Sequence, residues 1–514
     1  MNNLFPFLLL TSFLSYSSCI HEKTKYETTD GTEAFFVEAA APFYHGVASG
    51  DPGITSVLIW TRLTPQDSGE VHGTWTMSTS DQFEIPIQSG KFSTSQDSDY
   101  TVKVVVPDLL PDTRYYYRFR ALGKTSVIGQ TKTLPAVLDS DLVLAVVSCS
   151  NYEAGYYNAF RALANMDEVD AILHLGDYIY EYQPGRYGDT SLHRFHLPPK
   201  EIVHLSDYRT RYAQYRLDPD FALVHQKFPF ICIWDDHEIA NNSYSTGAQN
   251  HQAEEGDYQV RKNAAIQAYF EWIPVRSADS GRLYRAFDAG NLASIIMLDE
   301  RMAGRTAHVS SIDDPSYQDS NRTMLGHAQM QWLAEEVEKP TLWKIIGNQV
   351  ILSEVDFSMY GSSFVRNLDA WDGYPADKDR VMEILEGKEN ILVLSGDTHT
   401  SWAFEVPVDI ESYRADSTDL RAVEIGTPSI TSANHDESSR ADRDPRLLEK
   451  AMLDKQYNPH MKYRNITEHG FVLLHITKEI VTADWYFVPT IKEKVDGIEK
   501  VHTVTIQSGS YELD

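Results

Sequence analysis

The 514-residue sequence contains little cysteine and little positive charge. Its only cysteines are Cys19, Cys149 and Cys232, so a framework of several disulfides is excluded and one bridge is the maximum. The 74 Asp and Glu residues outnumber the 45 Lys and Arg residues, which gives a formal net charge of −29. A polyphosphate partner needs a surplus of Lys and Arg along its contact face, so we do not expect the chain to bind nucleic acid as a scaffold.

Long apolar runs are also scarce. The run at residues 4–14 is too short to span a membrane as a mature helix, and the small residues after it are typical of an export signal. We expect residues 1–18 to be a signal peptide, and the protein to be periplasmic, secreted or an outer-membrane lipoprotein. The segment before Cys19 resembles a lipobox, which would attach the protein to a membrane through lipidated Cys19; a cleaved secretory signal in which Cys19 has no role is the alternative.

Two regions with different residue patterns follow a polar segment at residues 19–42, which we expect to be a linker. Residues 43–135 contain short alternating runs between Gly, Pro, Asp and Ser turns, which predict an antiparallel β-sandwich. The segment LLPDTRYYYRF resembles the end of a fibronectin-type repeat. No cluster of His, Cys and carboxylate occurs in this region, so we interpret it as structural or substrate-shaping.

Residues 140–505 are predicted to form a larger domain of the α/β class. Fully apolar strands alternate with helical segments, a pattern typical of a central sheet covered on both faces. The predicted strands are residues 142–149, 171–177, 228–236, 292–299, 343–349 and 391–397, and the predicted helices include residues 156–166 and 327–339. Ligands bind outside the carboxyl ends of strands in such sheets, so the polar residues that end these strands should converge on one site.

The strand endings offer thiol, carboxylate, phenol, imidazole and amide groups. They comprise Cys149, Asp177, Tyr180, Asp235, Asp236, His237, Glu238, Asn241, Asn242, Asp397 and His399. Hydrolysis of a phosphate ester needs cations that neutralise the phosphoryl oxygens and activate water, and a carboxylate such as Asp177 can bridge two ions. The endings therefore predict a metal centre for phosphate chemistry.

Each of these residues alone has an ordinary structural explanation. A cysteine at the end of an apolar strand is usually a small buried hydrophobe, and that remains our interpretation of Cys232. Tyr180 alone would be a core aromatic, and a Gly-Asp pair at a strand end often forms only a turn. The joint occurrence of the donors favours a site.

Ordered sequence blocks resemble those of the alkaline phosphatase D (PhoD-like) family of metallophosphoesterases. FYHGVASGDP and VLIWTRLTP resemble its amino-terminal domain; SCSN, LHLGDYIYEY, DYRTRYAQYRLDPD, FPFICIWDDHEIANN, AYFEWIPVR, IGNQV and SGDTH resemble successive blocks of its catalytic domain. The match covers residues 43 to about 489. It implies an α+β sandwich catalytic domain, a fibronectin- or Ig-like amino-terminal domain, and an alkaline phosphatase that hydrolyses phosphomonoesters or phosphodiesters.

The resemblance also implies a metal set of Fe³⁺ with one or two Ca²⁺. The implied iron ligands are Cys149, Asp177, Tyr180, Asp397 and His399, and the implied calcium ligands are Asp177, Asp236 and Asn242. Thiolate and phenolate suit a highly charged ion, whereas Ca²⁺ takes oxygen ligands. Zn²⁺ and Mn²⁺ are alternatives, and the choices between Asp235 and Asp236 and between Asn241 and Asn242 stay open.

Two further residues receive roles from the resemblance. His237 directly follows a ligand position, and we assign it stabilisation of the phosphoryl oxygen or leaving group, with general-acid catalysis as a further role. Arg301, in LDERMAGR, resembles the family's Asp-x-Arg block and is assigned a contact to a phosphate oxygen. An ion pair with Asp299 or Glu300 is its structural alternative.

Three functions are compatible with the sequence. The first is an exported monomeric phosphomonoesterase or phosphodiesterase that acts on phosphate esters. The second is a phospholipase D-like phosphodiesterase, because the resemblance extends to enzymes that cleave phospholipid head groups. The third is a non-catalytic surface protein that retains the fold; lost metal ligands would mark it, and no expected ligand is missing.

Overall fold

A computed structural model describes residues 31–276, 281–360, 365–415, 419–437 and 444–513 of the chain. The predicted signal peptide and Cys19 lie outside the described residues. Within the predicted linker, residues 31–42 include two short 3₁₀ turns, Thr32–Phe35 and Glu38–Ala40. None of the helices in the described ranges is both long enough and apolar enough to cross a membrane.

The amino-terminal region contains eight strands. They are β1 (Val47–Gly50), β2 (Val57–Arg62), β3 (Val71–Ser78), β4 (Pro86–Thr94), β5 (Thr101–Val106), β6 (Arg114–Ala121), β7 (Lys124–Thr125) and β8 (Gly129–Lys132). Strands β4, β3, β6 and β7 pair in that order, and β8 pairs with β6. Apolar residues of β3 and β6 pack against those of β1, β2 and β5, which confirms the predicted all-β region.

The larger region contains the remaining strands and the α-helices. The strands are β9 (Leu142–Val147), β10 (Ala171–His174), β11 (Pro229–Cys232), β12 (Arg285–Ala289), β13 (Ala293–Met297), β14 (Trp343–Gly347), β15 (Ile391–Ser395), β16 (Ser401–Pro407), β17 (Leu420–Gly426), β18 (Met461–Asn465), β19 (Gly470–Ile476), β20 (Ile480–Phe487) and β21 (Glu499–Gln507). The helices are α1 (Asn158–Leu163), α2 (Leu205–Arg216), α3 (Pro219–Lys227), α4 (Tyr258–Trp272), α5 (Gly326–Val337), α6 (Pro375–Leu385), α7 (Ile410–Ala415) and α8 (Pro445–Met452).

Strands from both regions form one nine-stranded sheet, in the order β21-β20-β19-β9-β10-β11-β1-β2-β5. Strands β9, β10 and β11 are parallel, and β1 continues the sheet parallel to β11, with Ser49 opposite Pro229. The amino-terminal β-sandwich is therefore continuous with the sheet of the larger region through β1, β2 and β5.

The predicted strands of the larger region divide between two sheets, which corrects the expectation of one central sheet covered on both faces. The second sheet has the order β12-β13-β14-β15-β17-β16-β18. Side chains from β9 and β10 share one core with side chains from β13 and β15, so the two sheets pack face to face. A strand without polar alternation is buried on both faces, but the sequence does not show whether a helix or a sheet covers it.

Helices cover the outer faces of this sandwich. Apolar residues of α1 to α4 pack in the core of the first sheet, and those of α5 and α6 pack against the outward side chains Ile296, Ile346 and Val393 of the second sheet. The α+β sandwich architecture is thereby confirmed. Because β9, β10, β11 and β15 are all parallel members of their sheets, their carboxyl ends deliver the following turns to a common edge.

Candidate metal centre

The turns after β9, β10 and β15 carry four candidate ligands in strained backbone conformations. Cys149, Asp177, Asp397 and His399 have φ values of 58°, 56°, 61° and 62°, in the left-handed region that non-glycine residues seldom adopt. Such strain costs about 1–3 kcal/mol per residue and persists where the surroundings impose it, commonly at functional sites. The turns thus adopt backbone conformations of higher energy, and these conformations place the candidate ligands.

Gly176 allows two of these turns to approach each other. A Cβ atom at this position would lie 2.4 Å from Cβ of Asp235, and φ is 107°. Glycine is the residue that accepts both the close contact and the positive φ. The Gly-Asp pair at this strand end is therefore needed for bringing Asp177 beside Asp235.

One group of donors contains Cys149, Asp177 and His399, whose ligand atoms lie within 4.8 Å of one another. Tyr180 joins it, because its hydroxyl is 2.9 Å from Oδ2 of Asp177 and 3.4 Å from Nε2 of His399. Nδ1 of His399 donates to the carbonyl of Ala433 at 3.0 Å, which leaves Nε2 free to face the donors. These residues include four of the five implied iron ligands.

Two further groups share the carboxylates. Asp177, Asp236 and His237 form one, and Asp235, Asp236 and Asp397 form the other, each with ligand atoms within 4.8 Å. Among the described residues, Oδ1 of Asp177, Oδ2 of Asp235 and Oδ1 of Asp236 are buried and have no hydrogen-bond partner. A buried carboxylate oxygen without a partner is costly, so the arrangement suits oxygen ligands of a cation.

Burial and mutual repulsion disfavour the charged forms of these groups. Burial raises the pKa of Cys149 and Tyr180 well above their ordinary values, and nearby Asp177 adds to both shifts. Burial raises the pKa of Asp235 to about 8 and that of Asp397 to about 7, although Arg301 opposes both shifts. A multivalent cation reverses this balance, because it favours the deprotonated ligand.

Asn242 meets the second donor group through its backbone. Its amide nitrogen donates to Oδ2 of Asp236 at 2.5 Å, while its side-chain nitrogen donates to Gln249. The backbone nitrogen of Asn241 instead donates to Glu181, and its side chain also reaches Gln249. Of the two asparagines, Asn242 is the one bonded to Asp236.

His237 is oriented by a residue that the sequence analysis did not single out. Oε2 of Glu181 is 2.7 Å from Nδ1 of His237, and Glu181 is fully buried. Burial alone would lower the pKa of His237, but surrounding carboxylates, chiefly Asp236 and Asp177, raise it well above its ordinary value. The only sequence signal for Glu181 was its place directly after Tyr180.

Arg301 reaches the same carboxylates. Its guanidinium contacts Oδ1 of Asp235 at 2.5 Å and Oδ1 of Asp397 at 3.2 Å, and its remaining nitrogen contacts Asp369 at 2.7 Å. Asp299 instead accepts from the backbone nitrogen of Arg301. The side chain therefore belongs to the candidate centre, and the pairing with Asp299 or Glu300 is not how it is held.

Ser432 is a second residue that sequence reasoning missed. Its hydroxyl lies 2.5 Å from the hydroxyl of Tyr180 and donates to the carbonyl of Cys149 at 2.9 Å. The backbone nitrogens of Thr431 and Ser432 also bond to that carbonyl. No motif marks this serine, because only the fold brings the loop after β17 over the turn that contains Cys149.

The two cysteines have different surroundings. Both are free and buried, but Cys149 lies among the donors whereas Cys232 is within β11 and packs in the hydrophobic core. Burial raises the pKa of both thiols. The structural interpretation of Cys232 agrees with this placement.

Comparisons with known proteins match both parts of the chain. A family model described as "PhoD-like phosphatase" matches residues 144–485, and one described as "PhoD-like phosphatase, N-terminal domain" matches residues 31–135. The chain is similar to "Alkaline phosphatase D" of Bacillus subtilis (strain 168), with 35% identity over 525 residues, 94% of this chain and 87% of the relative. It is also similar to a solved structure described as "Structure of PhoD", with a TM-score of 0.83 and 32% identity over 93% of this chain and 92% of that one.

Proposed function

The chain belongs to the PhoD-like phosphatase family and is a phosphoric ester hydrolase of the alkaline phosphatase D kind, and we propose that it acts outside the cytoplasm. We propose a metal centre that contains Fe³⁺ and one or two Ca²⁺. The observation that carries the proposal is the convergence of Cys149, Asp177, Tyr180 and His399 beside a second cluster of carboxylates. No expected ligand type is missing, which argues against a non-catalytic protein.

The donor chemistry fits the proposed ions. A thiol, a phenol, an imidazole and a shared carboxylate together suit a hard, highly charged ion that can hold sulfur and phenolate oxygen in deprotonated form. The oxygen-rich cluster around Asp236 suits Ca²⁺. The unpartnered oxygens of Asp177 and Asp236 support both assignments.

We assign Fe³⁺ to Cys149, Asp177, Tyr180, Asp397 and His399, and Ca²⁺ to Asp177, Asp236 and the Asn242 region. Asp236 is preferred over Asp235 because it belongs to two donor groups and Oδ1 of Asp235 is taken by Arg301. Such cations supply neutralisation of phosphoryl oxygens and activation of a water nucleophile. Zn²⁺ or Mn²⁺ in place of iron is the alternative.

The chain's own polar residues then bind and orient the ester. Glu181 accepts a hydrogen bond from Nδ1 of His237, so Nε2 of the ring is the nitrogen available to a phosphoryl or leaving-group oxygen. The fixed imidazole is suited to stabilise developing charge and to hold a proton for the leaving group. Arg301 limits repulsion between Asp235 and Asp397, and we propose that its guanidinium also attracts a phosphate oxygen.

Export is proposed from the first residues of the sequence, which read as a signal peptide at residues 1–18. The protein would then be periplasmic, secreted, or held at the outer membrane through lipidated Cys19. We further propose that it acts as a monomer, since all of the assigned donors come from one chain.

A phospholipase D-like diesterase is the second candidate activity, and its support is the family resemblance alone. Rates on a chromogenic phosphomonoester and on a matched phosphodiester separate the two, since a diesterase would act on the diester and leave the monoester intact. Metal analysis of protein purified without chelators tests the centre. We expect iron and calcium to be retained and activity to disappear on chelation and return on addition of the metals; full activity in metal-free protein would refute the proposal.

A further inference from the structure

Two partly exposed tyrosines lie against the candidate centre and are not used by the assigned chemistry. The ring centroid of Tyr187 is 6.2 Å from that of His237, with planes 19° apart, and 6.3 Å from that of His399. The ring of Tyr182 is 5.4 Å from that of His237 and 5.5 Å from that of Tyr187. The two tyrosines thus form a continuous aromatic surface beside the residue proposed to meet the leaving group.

Their exposure separates them from the fully buried tyrosines of the same segment. Tyr178 and Tyr180 are 1% and 0% exposed, whereas Tyr182 and Tyr187 are only half-buried. Asp397 and His399 are also partly exposed, so the centre opens to solvent where Tyr187 lies. An aromatic side chain that stays partly accessible beside a reaction centre is available to a ligand.

The loop that carries Tyr187 is held rigidly by the turn after Cys149. The amide of Asn151 donates to the carbonyl of Tyr187 at 2.6 Å, and the backbone nitrogen of Gly185 donates to the buried carboxylate of Glu153 at 3.0 Å. Gly188 packs so closely that a Cβ atom would lie 2.7 Å from the Glu153 side chain. The loop therefore presents the tyrosine in a fixed position, which lowers the entropy cost of binding.

We propose that Tyr182 and Tyr187 form a leaving-group wall that favours phosphate esters whose leaving group carries a flat ring, such as an aryl group. The inference rests on the proposed function. The donor groups of the centre among the described residues are charged or polar side chains, which favour the phosphoryl group and not an apolar leaving group. The two rings supply a π face, against which a flat ring stacks better than a short alkyl chain does.

The test compares phenyl phosphate with ethyl phosphate. The variants are Tyr187→Leu, Tyr187→Phe, which keeps the ring, and Tyr116→Leu, which removes a half-buried tyrosine of β6 in the amino-terminal region. From the worth of one stacking contact, we expect Tyr187→Leu to lower kcat/KM for phenyl phosphate about tenfold and that for ethyl phosphate less than about twofold. Tyr187→Phe and Tyr116→Leu should retain the wild-type ratio of the two values, and Tyr182→Leu should lower it.

A binding measurement and metal analysis separate the wall from a structural role. Calorimetry should show weaker binding of phenylphosphonate, and unchanged binding of ethylphosphonate, in Tyr187→Leu with full bound metal. The proposed wall would be contradicted if Tyr187→Leu lowered kcat/KM equally for both esters, lost bound metal, or left kcat/KM unchanged for both esters. Wild-type protein that cleaves neither monoester with its metals bound would contradict the wall, whereas failure on the matched phosphodiester as well would contradict the proposed function.

Discussion

Oε2 of Glu181 lies 2.7 Å from Nδ1 of His237, and both side chains are buried beside the donor cluster. The other carboxylate oxygen of Glu181 accepts from the backbone of Asn241 and from the side chain of Asn250. Glu181 is therefore fixed from three directions, and it in turn fixes the plane of the imidazole. This relation links the turn after β10 to the turn after β11.

We expect Glu181→Gln to lower kcat about 10- to 100-fold with bound metal unchanged, a typical cost of losing a residue that orients a functional group. The amide would no longer hold Nδ1 as an ionised acceptor does. Steady-state kinetics with metal analysis is the measurement. Glu201→Gln is the control, because Glu201 accepts from the same Asn250 and does not contact His237. Equal losses in the two variants would contradict the orienting role.

Asp177→Asn should be more damaging than His237→Ala. Asp177 belongs to two donor groups, so its loss disturbs both proposed ions, whereas His237 serves one step. Loss of a general acid typically costs about 100-fold or more in rate, and we expect the Asp177 variant to fall below detection. Measured turnover and metal content of both variants test whether Asp177 bridges the two ions. An Asn variant with full metal and about a tenth of wild-type turnover would show that the carboxylate does not bridge.

Most of the site could be predicted because its donors follow strands that can be recognised from the apolar runs in the sequence. The predicted strands at residues 142–149, 171–177 and 391–397 are present as β9, β10 and β15, and their polar endings do converge. Chain order and apolar runs are local information, and the edge at which parallel strands end follows from general rules.

The parts that could not be predicted depend on long-range pairing. The pairing of β1 with β11 joins Ser49 to Pro229, and nothing local to either strand specifies it. The contact of Ser432 with Tyr180 spans 252 positions along the chain. Asp369 likewise reaches Arg301 from a segment with no recognisable motif. Such contacts are made only when the two sheets and their loops are assembled.

The amino terminus offers a separate test of export. If residues 1–18 are a signal peptide, the mature protein lacks them and fractionates with the envelope or the medium. Mass spectrometry of the purified amino terminus measures this directly, and a diacylglycerol mass on Cys19 would identify the lipoprotein form. A cytoplasmic protein that starts at Met1 would contradict the prediction, and replacing Cys19 by serine should abolish only the lipid-linked mass.

The two described cysteines form a matched pair for testing the iron assignment. Both are buried and free, but only Cys149 lies among the donors. Cys149→Ser should lower bound iron, because an alcohol is a poorer anionic ligand than a thiol, whereas Cys232→Ser should leave iron and activity nearly unchanged. Elemental analysis of both variants is the readout. Equal iron in the two variants would remove Cys149 from the ligand set.

The last prediction concerns colour. A deprotonated tyrosine bonded to Fe³⁺ gives charge transfer in the visible, and only a strongly charged ion deprotonates so buried a phenol at neutral pH. The purified enzyme should therefore be coloured, and Tyr180→Phe should shift or bleach the band. Ser432→Ala should shift the band without bleaching it, because its hydroxyl lies 2.5 Å from the phenol oxygen.

Ser429→Ala is the control for the serine variant. Ser429 lies in the same loop, and its hydroxyl donates to the carbonyl of Ser432 and contacts His469, not Tyr180. A band that moves equally in both serine variants would mean that the loop acts as a unit and that the Ser432 hydroxyl has no special role. A colourless and fully active enzyme containing zinc would reject Tyr180 and Cys149 as iron ligands, while the carboxylate cluster around Asp236 would still support a two-metal phosphoesterase.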